Sequence, residues 1–126
     1  MKTELSDGEW RLMKVLWESS PRTITQLTAA LKNDTGWSKH TVISMLSRLE
    51  AKGAVAYREG ERAKAYYPLL AQNEASRTET KRFLDKVYNG SFGVMVHAMM
   101  DSDALSPEDI AELSAILEKA KEGGSS

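Results

Sequence analysis

The chain has 126 residues, 41% of them apolar and 28% charged, with a formal net charge of -1 and no cysteine. That is enough chain for one domain with a real core, alone or with a small appendage, and it excludes disulfides, thiolate metal sites and a cysteine nucleophile. No apolar run approaches the roughly 18 residues of a membrane span, and the opening "MKTELSDGEW" lacks the apolar stretch of a secretory signal, so a cytoplasmic protein is expected.

"LSDGEWRLMKVLWESSP" reads as a capped helix. Ser6 is the expected N-cap, Glu9 completes a capping box three residues later, and Trp10, Met13, Leu16 and Trp17 form the apolar face. Pro21 ends it. Thr23 and Ile24 are expected to be extended, with Thr25 capping a second helix, "QLTAALKND", whose apolar positions are Leu27, Ala30 and Leu31. Gly36 breaks that helix. Ser38 then caps a third, which Gly53 ends.

This third helix, in "WSKHTVISMLSRLEAKG", has two faces. Val42, Met45, Leu46 and Leu49 make an apolar stripe, and His40, Ser44, Ser47 and Arg48 make a second, polar face. Next the period changes. "AVAYREGERAKAYYPL" places β-type residues on both sides of "EGER", which predicts a two-stranded hairpin with Gly60 in its turn and Pro68 at its end.

The small polar run "AQNEAS" predicts a boundary, and the remainder is helical. "SRTETKRFLDKVYNG" carries Phe83, Leu84, Val87 and Tyr88 and stops at Asn89-Gly90. "SFGVMVHAMMD" carries Phe92, Met95, Val96 and Met99 at helical spacing. The last helix has a full start signal: Ser106 at the cap, Pro107 at the first position, Asp109 at the third, and Leu105 with Ile110 as a hydrophobic staple. Its apolar face is Ile110, Leu113, Ile116, Leu117 and Ala120.

Helix, helix, helix, hairpin is the order of a winged helix. The predicted fold is mainly α with a small β-hairpin: a winged-helix DNA-binding domain over 1–72, a helical region over 73–122 and a disordered tail at 123–126. The charge fits that division. Up to Gln72 there are 11 Lys+Arg against 8 Asp+Glu, and from Asn73 onward 6 against 10.

With its stripe locked on the first two helices, the third helix leaves its other face free for a major groove, which admits one helix. His40, Thr41 and Ser44 lie in its first two turns, where side chains meet base edges. Thr41 and Ser44 are read as facing away from the stripe, and both are short enough for a close approach. Lys39 at the helix N-terminus suits a phosphate, as does Arg48 one turn on. Arg58, Arg62 and Lys64, in and beside the hairpin turn, suit the backbone of an adjacent groove.

The order and spacing of these stretches resemble the penicillinase-repressor family of BlaI/MecI/CopY type. The resemblance rests on "SDGEWRLMKVLW", on the "W-S-x-x-T-V" start of the third helix, and on "RL-x-x-KG". It also rests on the "R-x-G-x-R…Y-x-P" hairpin of Arg58, Gly60, Arg62, Tyr66 and Pro68, and on the "NGS" followed by "LS-x-E-D-I-x-E-L". It covers nearly the whole chain. It implies a bacterial homodimeric repressor that binds a pseudo-palindromic double-stranded operator through two winged helices. It makes the helical region over 73–122 the dimerisation region, which would hold the dimer through Phe92, Met95, Val96, Met99, Ile110, Leu113 and Leu117.

Two departures bear on induction. The copper-responsive branch carries C-terminal cysteines that this chain lacks, which excludes a copper-thiolate switch. The antibiotic-responsive branch is cut at an Asn-Phe bond in its fifth helix, where this chain has His97-Ala98 within "VMVHAMM". The partner that relieves repression, a sensor-protease or a small-molecule inducer, stays open. No cofactor is expected. His40 and His97 lie far apart and outside any catalytic or metal motif, and "REGERAK" lacks the spacing of a phosphate loop. The competing reading is a winged helix that binds another protein through the same surfaces.

Overall fold

Six helices and three short strands make up residues 4–123, the part of the chain described in the computed structural model. The chain divides into two compact units, one up to Thr80 and one from Lys81.

In the first unit, α1 (Asp7–Glu18) begins at the expected capping box. Ser6 Oγ accepts from the Glu9 N–H at 3.2 Å, and Glu9 Oε1 accepts from the Ser6 N–H at 2.7 Å. Its buried face is shifted from the expected one. Leu12, Met13 and Leu16 are fully buried, whereas Trp10 and Trp17 lie half-buried at the margin, edge to face at 5.5 Å. The margin suits an indole because its N–H needs a partner. Trp17 Nε1 donates to the Leu70 carbonyl at 2.8 Å and so ties the segment after the hairpin to α1.

β1 is Arg22–Thr23, and α2 (Ile24–Thr35) starts two residues earlier than its sequence suggests. Thr23 is the cap, not Thr25, and Ile24 is helical rather than extended. The reason is local. Thr23 has Gln26 three residues on, and the two exchange hydrogen bonds of 3.2 and 2.9 Å. Thr25 has only Thr28 in that position. α2 buries Leu27 and Leu31 but leaves Ala30 exposed, and it closes at Gly36.

α3 (Lys39–Ala51) packs on both α1 and α2. Val42, Leu46 and Leu49 are essentially inaccessible, with Met45 half-buried beside them. β2 (Val55–Glu59) and β3 (Lys64–Pro68) form the antiparallel hairpin. The predicted two strands gain a third, because β1 adds to the outer edge of β3, pairing Arg22 with Tyr66 and Thr23 with Ala65. Residues Arg22–Thr23 are too few to give a periodic signal on their own. α4 spans Gln72–Tyr88, so "AQNEAS" is largely helix and not a linker; Glu74 suits the first turn, and Ala75 is buried.

The second unit holds the rest of α4, then α5 (Phe92–Asp101) and α6 (Pro107–Gly123). Asn89 and Gly90 stop α4 with positive φ, as expected. Ser91 caps α5 through a 3.1 Å bond from the Val94 N–H. Ser106 and Asp109 exchange two 3.0 Å hydrogen bonds at the start of α6. Neither α5 nor α6 contains a buried residue. Of the expected tail, Gly123 is the last residue of α6, and 124–126 lie outside the described residues.

Glu9 is the one buried charged side chain among the described residues, at 1% exposure. Its Oε1 accepts from Lys52 Nζ at 2.5 Å, while Oε2 has no hydrogen-bond partner. Lys52 Nζ also donates to the Glu4 carbonyl at 2.8 Å. Burial pushes the Glu9 carboxyl up, but hydrogen bonds from Lys52 and Ser6 outweigh it and leave the group below the ordinary glutamate range. Its stabilisation is therefore present above the unfolded pKa and lost as pH falls through the folded one. Removing Lys52 leaves only the Ser6 hydrogen bonds to oppose burial, so the folded pKa rises and the stabilisation shrinks. Lys52→Ala should cost about 2–3 kcal/mol at neutral pH, less than a fully buried pair because Lys52 is partly exposed. Urea titrations of both proteins should show the gap narrowing on acidification below about pH 5. A gap that does not change with pH would remove the ion pair as its cause.

Candidate nucleic-acid interface

The buried stripe of α3 decides what the helix presents outward. With Val42, Leu46 and Leu49 against the core, positions 40, 44 and 47 fall on the opposite side, one helical turn apart. His40, Ser44, Ser47 and Arg48 are all exposed, and so is Lys39 at the first helical position. Ser38 caps the helix, its Oγ accepting from the Thr41 N–H at 3.2 Å.

Thr41 sits differently from its expected place. It is half-buried at the edge of the outward face, with its hydroxyl 3.2 Å from Ser38 Oγ. The cap draws its side chain toward Ser38. A second residue escapes the sequence reading. Ile43 is apolar and next to the stripe, yet it is 42% exposed. The signal for it is angular: 42, 46 and 49 make one line along the helix, and 43 groups instead with 40 and 47.

The hairpin separates the three wing cations. Gly60 N–H donates to the Ala63 carbonyl at 3.1 Å, and a Cβ on Gly60 would stand 2.5 Å from that same oxygen, so the tight tip requires glycine. Arg62 is exposed within the tip. Arg58 pairs with Ala65, and its guanidinium lies 5.4 Å from the Tyr67 ring. Lys64 pairs with Glu59 on the other face of the ribbon, where its ammonium lies 4.2 Å from the Tyr57 ring. Hydrogen bonding to Tyr57 raises the Lys64 pKa above its ordinary value. Arg58 and Lys64 thus flank the tip from opposite faces of the hairpin, each steered by an aromatic ring.

The expected dimerisation residues all lie in the second unit. Met95, Val96, Met99 and Leu113 are half-buried, and Phe92, Ile110 and Leu117 are exposed. His97 is exposed on α5, with Nδ1 3.3 Å from Asp101 Oδ2. Among the described residues no helix is long and apolar enough to cross a membrane, and no three His, Asp or Glu side chains are grouped to hold a metal.

The model of the penicillinase repressor family matches residues 5–119. The penicillinase repressor of Bacillus licheniformis is 34% identical over 118 residues, which are 94% of this chain and 92% of that protein. The methicillin resistance regulatory protein MecI of Staphylococcus aureus is 28% identical over 116 residues, 92% of this chain and 94% of its own. Among solved structures, the solution structure of the DNA-binding domain of the repressor BlaI is 32% identical and superposes with a TM-score of 0.52, covering 59% of this chain and 93% of that one. The monomeric form of Bacillus licheniformis BlaI in complex with the blaP half-operator matches with the same identity and coverage and a TM-score of 0.51.

Proposed function

The chain belongs to the penicillinase repressor family, and from that premise we propose that it represses transcription as a homodimer bound to a pseudo-palindromic operator. The observation that carries the reading is the division of α3, with three aliphatic side chains sealed in the core and a continuous polar face outside. The Bacillus licheniformis relative is named as a penicillinase repressor, and BlaI has been solved on a half-operator. A DNA-bound protein of this kind works in the cytoplasm.

Each winged helix would take one half-site. His40, Thr41 and Ser44 read base edges, with Thr41 reaching the groove from the edge of the face. Lys39 and Arg48 hold phosphates on either side of the groove. Arg58, Arg62 and Lys64 grip the backbone next to it, Lys64 once its ammonium leaves Tyr57.

The second unit supports dimerisation. Of ten large exposed hydrophobics among the described residues, eight lie at or beyond Phe83. So much unburied apolar surface in one short stretch marks an interaction site rather than a solvated face, and a second copy supplies a matching surface by two-fold symmetry. The half-sites then act together, and the second binding event becomes intramolecular. Repression is relieved by a partner, either a sensor-protease or a small-molecule inducer. His97-Ala98 in place of an Asn-Phe bond argues against cutting at that point.

Four outcomes are expected. On the selected operator, Ser44→Ala should lose about 1–3 kcal/mol and relax discrimination at one base pair. Arg62→Ala should weaken specific and scrambled duplexes alike and lower the salt slope by about one unit. Binding isotherms at several salt concentrations measure both, and unchanged affinity in both variants would favour a protein-binding winged helix. Ile116→Glu with Leu117→Glu should turn a sedimenting dimer into a monomer and cut affinity for the full operator by about 100-fold or more. A wild-type monomer at micromolar concentration would refute the dimer. Co-expression with a sensor-protease of the antibiotic-responsive branch should leave the chain intact, and a fragment ending near His97 would overturn that expectation.

A further inference from the structure

We propose that Ile43 is a specificity-determining residue that reads the C5-methyl group of one thymine in each half-site. The inference rests on the DNA-binding reading of α3 and adds a contact of a different chemistry to it. Ile43 is 42% exposed and, with Leu69, is one of only two large exposed hydrophobics among the described residues of the first unit. It does not serve the core, because Val42, Leu46 and Leu49 already fill it at essentially zero exposure. It does not serve the helix either. A β-branched residue is a weaker helix former than the straight-chain residues that suit a solvated position.

Its neighbours give it a use. Ile43 lies one turn from His40 and one turn from Ser47, on the shoulder of the outward face. Ser44 and Ser47 are short, so the branched side chain stands above the surface on either side of it. In a major groove the matching apolar feature is the thymine methyl, which no other base presents. Serine and histidine on the same face offer hydrogen bonds. An aliphatic side chain between them can distinguish thymine from cytosine at the same place by apolar contact alone.

The test uses the full-length protein. A random duplex library is selected for binding, and each thymine of the enriched sequence is then replaced in turn by deoxyuridine, which removes only the methyl. Wild-type protein should lose about fourfold in affinity at one thymine per half-site, the effect of one buried methyl. Ile43→Ala should bind the thymine and deoxyuridine duplexes equally at that position while keeping the wild-type response at every other position. Ile43→Val, which retains the branch, should keep most of the discrimination. Equal binding of all deoxyuridine duplexes by wild type, or a methyl preference that survives Ile43→Ala, overturns the assignment and leaves the DNA-binding reading standing. A library that yields no enriched duplex overturns that reading, and the Ile43 contact with it.

Discussion

The rotation of α3 about its own axis is set by three side chains. Val42, Leu46 and Leu49 are withdrawn almost completely from solvent, and fully burying an aliphatic side chain contributes about 1.5–3 kcal/mol. Turning the helix by one residue would move every side chain by about 100°. Leu46 would leave the core, and a polar neighbour would enter it without a partner, which costs more still. The outward face is therefore not an independent choice. His40, Ser44 and Ser47 look outward because their neighbours are held inward, and α1 and α2 supply the surface that holds them.

Rotation alone does not fix a helix; its ends must also be seated. Two adjacent residues of α1 do this. Gly8 lies under the first half of α3, where an added Cβ would stand 3.0 Å from Met45 Cε and 3.3 Å from the Trp37 ring. Glu9 reaches the other end through Lys52, the residue that closes α3. The same carboxylate caps its own helix through Ser6. One buried acid thus joins the start of α1 to the end of α3. A buried ion pair is poor evidence for stability as such. Its value here is positional, since it sets the distance between two helix termini that no apolar contact would define as sharply.

Most of the element order was legible because it rests on strong local signals. Ser6 with Glu9, Ser38, and Ser106 with Asp109 marked three helix starts correctly, and Gly36 and Asn89-Gly90 marked stops. The Thr23 cap was legible locally, since Gln26 stands three residues on; the other differences come from information that is not local. The strand β1 exists only because β3 offers it an edge. Leu12 takes the core place that size suggests for the tryptophans, whose N–H groups favour a margin. The role of Glu9 was half legible: its capping partner is three residues away, whereas Lys52 is 43 residues away and became its neighbour only through the fold. The site follows the same pattern. The outward serines and the outward place of Ile43 follow from spacing, whereas the separation of Arg58 from Lys64 needs the strand register and the pull of the cap on Thr41 depends on side-chain placement.

The two units carry different kinds of residue, and that division bears on regulation. The first has a sealed core and a polar outward face; the second leaves apolar side chains of α5 and α6 in solvent. In the proposed assembly, a second copy covers those side chains, and affinity for the operator depends on both heads engaging at once. Weakening the pairing then lowers DNA occupancy by the lost effective concentration, a factor of about 10² to 10⁴, without altering any residue that touches DNA. A signal acting on the second unit needs no path through the core of the first. It need only compete with the partner's apolar surface, so an inducing event can vary among relatives while the α3 face stays tuned to its operator.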